Sequence, residues 1–205
     1  MPEHTGRPLV FPLTNKDEGV GFEPSRWDDL RVSPFASKAG GSKAPVFTKF
    51  TDNGAGSQGV FAYAFGTATE KELYFEVQLP HTWVAGSDIK PHVHWSHVEA
   101  SPPGTTNVQW GLEYTWANAD PPGHVFGTTT IITGSTTVPV SSTRQQFITS
   151  LGTIDGTSKQ LSSVLLCRVF RDVANDNFAG DAFALSFDFH IQHNTWGSIA
   201  EFPSI

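Results

Sequence analysis

The sharpest chemical feature of the chain is the run Gly86-Ser87-Asp88-Ile89-Lys90-Pro91-His92-Val93-His94-Trp95-Ser96-His97-Val98-Glu99. Imidazole and carboxylate groups are the usual protein ligands of zinc, iron and manganese, so two histidines one residue apart, with a glutamate following, invite a metal reading. Strand geometry tests it. Alternate residues of a strand project to the same face, so His92 and His94 form a pair and Val93 and Trp95 point the opposite way. The size of Val93 and Trp95 predicts that they face a core and that both histidines look outward. A metal centre needs at least three convergent ligands and an oriented outer shell, and the spacing supplies a pair. The sequence therefore predicts that His92 and His94 are not metal ligands. It assigns no residue a catalytic, cofactor-binding or metal-ligating role, and no cofactor.

Other candidates are weaker. Asp188 and His190 share the polar face of a terminal strand, where a carboxylate can orient an imidazole. Glu76, Glu99 and Glu113 lie on different strands, and nothing in the sequence selects two of them as a glycosidase pair. No nucleophile elbow, P-loop or dinucleotide fingerprint is present. Trp110, Tyr114 and Trp116 fall on one face with Val108 and Leu112 and read as core. Trp27, Trp83 and Trp196 stand near loops or in the N-terminal segment and read as intersubunit anchors.

The elements that must position these side chains are strands. In Leu73-Tyr74-Phe75-Glu76-Val77-Gln78-Leu79, apolar and polar residues alternate with a period of two. Similar segments at 59–66, 71–80, 88–99, 107–118, 127–134, 144–151, 161–172 and 182–194 are separated by turn chemistry such as Ser101-Pro102-Pro103-Gly104 and Asp155-Gly156. The pattern predicts an all-β protein: a jelly-roll-like antiparallel β-sandwich of about eight strands. Phe75, Val77, Trp110, Leu112, Phe187 and Phe189 are its expected core, and Val164 to Phe170 its central strand, covered on both sides. Residues 1–57 differ, with recurrent prolines and the loop signals Gly40-Gly41-Ser42 and Asp52-Asn53-Gly54. They read as an extended N-terminal arm before a sandwich domain of residues 58–205. About a dozen large apolar side chains in the arm predict that it binds a neighbouring surface.

Composition narrows the functional classes. Charged residues make up 16% of the 205-residue chain and the net charge is −7, with lysines and arginines scattered singly. Wrapping nucleic acid needs clustered cations, so no nucleic-acid partner is expected. No basic segment leads into an apolar stretch at the N-terminus and no run of 18 apolar residues occurs, which predicts neither a standard secretion signal nor a bilayer anchor. The single cysteine, Cys167, lies in Val164-Leu165-Leu166-Cys167 and is expected to be a buried, inert thiol. Folding in a reducing cytoplasm follows.

Two resemblances complete the reading. The segment from Gly86 to Glu99 resembles the first cupin motif, which implies a metalloenzyme using His92, His94 and Glu99. The glycine that closes that motif is replaced by Thr106, and the second motif is missing around His190 and His193. More extensively, Trp27-Asp28-Asp29-Leu30-Arg31-Val32, Pro91-His92-Val93-His94-Trp95, Trp110-Gly111-Leu112-Glu113-Tyr114-Thr115-Trp116-Ala117-Asn118, Phe170-Arg171-Asp172, Asp188-Phe189-His190 and Gly197-Ser198 resemble tailed-bacteriophage virion structural proteins, a mostly uncharacterised group. That resemblance runs from Trp27 to Ser198. It implies a non-enzymatic part of a phage particle: a capsid decoration (cement) protein, or a head or tail appendage. The expected protein sits on the virion exterior after assembly in the host cytoplasm. It is a homo-oligomer, by analogy a trimer, whose partners are the major capsid protein or other virion proteins, and whose arm clamps neighbouring capsid subunits. A glycan-binding head or tail appendage module is the alternative, and a cupin-like metalloenzyme the second alternative.

Overall fold

The computed structural model describes residues 21–100, 106–119 and 123–197. They contain eleven strands and no α-helix: β1 (Gly21–Val32), β2 (Lys38–Ala39), β3 (Val46–Thr51), β4 (Val60–Phe65), β5 (Glu72–Gln78), β6 (Lys90–Ser96), β7 (Thr106–Ala117), β8 (Thr130–Val138), β9 (Phe147–Ser150), β10 (Val164–Arg171) and β11 (Ala182–Thr195). All pair antiparallel in two sheets. One has the order β3-β4-β11-β6-β9, with β1 also on β11, and the other β2-β5-β10-β7-β8. The molecule is a jelly-roll-like β-sandwich, as the alternation predicts.

All eight predicted strands are present, and the expected central strand β10 lies between β5 and β7. Its outer side is open rather than covered, with Leu166 48% exposed. The expected arm is corrected more substantially. Its described part, residues 21–57, supplies β1, β2 and β3, so this stretch is sheet within the sandwich. Arg26 to Val32 pair with His193 to Phe187, and β3 forms an edge on β4. These residues order by joining ladders of the same chain, which satisfies the backbone groups that an arm would leave open. Residues 1–20 lie outside the described residues.

Between the sheets lies one large core that includes Leu73, Val77, Val93, Trp95, Trp110, Leu112, Phe187 and Phe189. Phe75 is only partly buried, stacked on Phe187 with ring centroids 5.3 Å apart. Cys167 is buried as expected. Trp83, expected as an anchor, is 2% exposed and packs on Trp116, whereas Trp27 and Trp196 are 52% and 75% exposed.

Two local devices set which way side chains face. A register shift between Ala184 and Ser186 turns Phe183 out of the main core into a small cluster with Ala62 and Ala64. From Ser186 onward the alternation places Phe187, Phe189 and Ile191 inward and Ser186, Asp188 and His190 outward. At the rim where the sheets meet, a β-carbon on Gly134 would stand 1.8 Å from the Ser150 carbonyl oxygen. Glycine lets β8 lie against β9 there, and Thr136 hydrogen-bonds to Thr149 across the seam at 2.8 Å.

Candidate functional site

Val93 and Trp95 are 1% and 0% exposed in the core, so His92 and His94 lie on the outer face of the six-stranded sheet, as the strand argument predicts. They are nonetheless largely enclosed: side-chain exposure is 6% for His92 and 18% for His94. The reason is the neighbouring strand. The antiparallel register of β11 on β6 sets Asp188 opposite His92 and Ser186 opposite His94. Asp188 Oδ2 is 3.2 Å from His94 Nε2 and 3.8 Å from His92 Nε2, and the two Nε2 atoms are 3.0 Å apart. Glu99, the glutamate of the cupin-like spacing, lies beyond the end of β6, exposed, with its side chain over Gly180. It does not join the histidines.

Each member of this cluster is held from behind. A ring nitrogen of His92 hydrogen-bonds the Lys90 backbone. Gln146 Nε2 lies 2.8 Å from His94 Nδ1, and the Ser186 hydroxyl donates to Asp188 Oδ1. Burial, and then the neighbouring His190 and His94, hold the His92 pKa below the ordinary histidine value against the pull of Asp188. His190 stands at the rim, its ring 4.3 Å from that of His92 and its Nε2 2.8 Å from Asp29 Oδ1. Trp27 is beside it at 6.4 Å. The third histidine of the run, His97, faces inward, fully buried, with Nε2 2.9 Å from Ser142 Oγ.

The outer face of the other sheet carries a different arrangement. Arg168, on the open side of β10, reaches Glu70 and Glu72 at 2.8 Å and Glu113 at 2.9 Å. Against the cost of its partial burial, these hydrogen bonds keep Arg168 charged above its ordinary range. Thr129 donates to Glu113 at 2.7 Å; that bond and Arg168 hold the Glu113 carboxyl below the usual carboxylate range, partial burial opposing them. Phe170 lies over Gly111, where a β-carbon would stand 2.2 Å from the ring, and carries the Arg168 guanidinium 4.2 Å above its face. Beside this network runs an open groove of about 480 Å³ lined by Lys43, Tyr74, Thr115 and Thr129 together with Glu72, Glu113 and Arg168. Tyr74 is 40% exposed and donates its hydroxyl to Glu72 at 2.9 Å. Sequence reading noted the alternation around Tyr74 and the separate strand of Glu113 but did not connect the two, because their link is Arg168 on the strand between.

No protein-family model matches the chain, and a search of curated proteins finds no match. Among solved structures, one similar chain is the Clostridium thermocellum endo-1,4-beta-D-xylanase 10B, its CBM22-1 and GH10 modules complexed with xylohexaose. It is 12% identical, with a TM-score of 0.40 over 82% of this chain and 28% of that one. This chain thus spans little more than a quarter of that relative's length. Another is TmCBM61 in complex with beta-1,4-galactotriose, 18% identical, with a TM-score of 0.30 over 82% of this chain and 89% of that one.

Proposed function

We propose that the chain is a non-enzymatic recognition module of a viral particle that holds a carbohydrate in the groove of its five-stranded sheet. The observation that carries this reading is the groove's lining. It offers an exposed phenol, Tyr74, as a flat surface for a sugar ring, flanked by carboxylate acceptors, cationic donors and the hydroxyls of Thr115 and Thr129. Pockets that recognise small molecules combine such a surface with a few fixed polar groups. The groove's acids are engaged by Arg168, and Glu113 is held ionised, whereas a glycosidase needs one carboxyl raised toward neutrality. This supports binding over hydrolysis. A glycan array probed with the full chain, followed by calorimetry on the best oligosaccharide, tests it. Saturable binding that falls at least tenfold in Tyr74→Ala, with an unchanged unfolding midpoint, is expected; an array with no binder rejects the reading.

A second reading, particle assembly, is favoured by the β3–β4 edge. Phe35, Phe47 and Phe61 are 55%, 54% and 41% exposed and touch one another through rings 5.7–6.1 Å apart, with Val46 and Val60 each 60% exposed nearby. Such an apolar edge suits a contact with a capsid protein or with further copies in a trimer. Light scattering of the purified chain and co-sedimentation with particles test it: Phe47→Asp is expected to lower oligomer mass or particle occupancy, and wild-type behaviour in both rejects it.

A further inference from the structure

We propose that His92, His94 and Asp188 form a binding site for one divalent transition-metal ion of the zinc type, on the outer face of the six-stranded sheet. The inference is independent of the groove on the opposite sheet and reverses the expectation drawn from the spacing of the histidines alone.

Geometry comes first. His92 Nε2, His94 Nε2 and Asp188 Oδ2 form a triangle with edges of 3.0, 3.2 and 3.8 Å. The three corners of such a triangle share a common point about 2.0 Å from each, which matches the bond length of zinc to imidazole nitrogen and carboxylate oxygen. The donor set, two imidazoles and one carboxylate, suits zinc and ferrous iron rather than calcium or magnesium, which take oxygen ligands. With three protein ligands, the remaining positions face outward and are left for water or another small ligand.

The outer shell points the same way. Metal-bound histidines hand their second ring nitrogen to a backbone carbonyl or a side-chain acceptor, which fixes the tautomer that leaves Nε2 with a lone pair. His92 has a hydrogen bond to the Lys90 backbone. His94 Nδ1 has the Gln146 carboxamide at 2.8 Å, and a half-turn of that amide presents its oxygen to an Nδ1–H. Asp188 has the Ser186 hydroxyl on its other oxygen. All three candidate ligands are therefore oriented from behind toward the same point.

Charge gives an independent reason. Asp188 is 4% exposed, and among the described residues no lysine or arginine forms an ion pair with it, although Arg31 stands opposite it in the β1–β11 ladder with an exposed side chain. A carboxylate removed from water needs a compensating cation. Two Nε2 atoms 3.0 Å apart cannot both carry protons toward each other, so at least one Nε2 lone pair is turned into the gap between the rings. A divalent ion between them satisfies both lone pairs and the carboxylate together.

The test uses the full chain without an affinity tag, stripped by chelator and titrated with Zn²⁺ in a calorimeter and with Co²⁺ in a spectrophotometer. One ion per chain is expected, with visible Co²⁺ bands typical of mixed nitrogen and oxygen ligation. His94→Ala and Asp188→Asn should each weaken binding at least tenfold, while Glu99→Gln binds as wild type. Should either ligand variant fail to fold, imidazole nitrogen NMR of the wild-type chain decides the matter. Two histidine Nε2 resonances that move together on adding one equivalent of Zn²⁺ support the site, and resonances unmoved at excess Zn²⁺ overturn it. Wild-type affinity in a folded Asp188→Asn chain also overturns it.

Discussion

Arg171 and Asp176 form a two-pronged ion pair inside the protein, Nε to Oδ2 at 2.7 Å and Nη2 to Oδ1 at 2.8 Å. The remaining guanidinium protons go to the carbonyls of Phe65, Phe178 and Gly180 at 2.6–2.8 Å, and the Arg171 side chain is fully buried. One side chain thus ties the end of β10 to β4 and to the loop leading into β11. The Phe170-Arg171-Asp172 motif that contributes to the phage resemblance is, at Arg171, an organiser of the fold.

Replacing Arg171 by Met keeps much of its volume but leaves Asp176 buried without its cation. Breaking one side of a buried pair costs about 3–5 kcal/mol. Urea unfolding should show that loss, and Asp172→Ala, which removes only a partly exposed acceptor for the Asn175 amide in the same turn, should cost far less.

Phe187→Ala removes a ring that is 2% exposed and stacks on Phe75. A loss of about 3–5 kcal/mol is expected, and Phe75→Ala, at a partly exposed position, should cost less. An unchanged unfolding midpoint in Phe187→Ala would mean that β11 is displaced by one residue, with Asp188 inward.

Gly134→Ala places a methyl group into the Ser150 carbonyl, 1.8 Å from the oxygen. Backbone on both sides of the seam must part, and such overpacking costs about 1–3 kcal/mol. Thermal unfolding of the variant should fall accordingly, and Gly127→Ala, where no atom stands within 4 Å of the added carbon, should not share the effect.

Burial pushes the Cys167 thiol up to about 12, from about 8.5 in an unfolded chain. The folded state therefore holds its proton after the unfolded state has released it. This contribution is intact below about pH 8.5 and is lost as pH rises toward 12. Wild type should lose about 2 kcal/mol more than Cys167→Ala between pH 8 and 10, read by urea midpoints, and the native thiol should resist thiol reagents at pH 8.

The alternation of Leu73 to Leu79 and of Val108 to Trp116 made the sandwich legible, because a half-buried strand writes its two faces into neighbouring positions. β1 was not legible for the opposite reason. In Arg26-Trp27-Asp28-Asp29-Leu30-Arg31-Val32 only Leu30 and Val32 pack on the core, and the strand is held by its ladder to residues more than 150 positions away. The metal-capable cluster was half legible. His92-x-His94 declares a pair on one face, but its third member depends on the register of β11 against β6, which no local pattern encodes. Glu99, the neighbour that spacing suggested, lost to Asp188, which pairing delivered. In the groove, Arg168 is the one charged residue between Val164 and Phe170, and only β5, the turn before it and β7 reveal the three glutamates that surround it.

The six-stranded sheet has a temporal consequence. Its hub, β11, is its most C-terminal member, and β1, β4 and β6 all pair with it. During synthesis those three strands leave the ribosome well before their shared partner and must wait with open hydrogen-bonding edges until residue 195 has emerged. The five-stranded sheet can complete its ladders once β10 is made. Nascent chains arrested before β11 should therefore expose the apolar faces of both sheets to chaperones, and final closure should be slow, as expected when the decisive contacts span most of the chain.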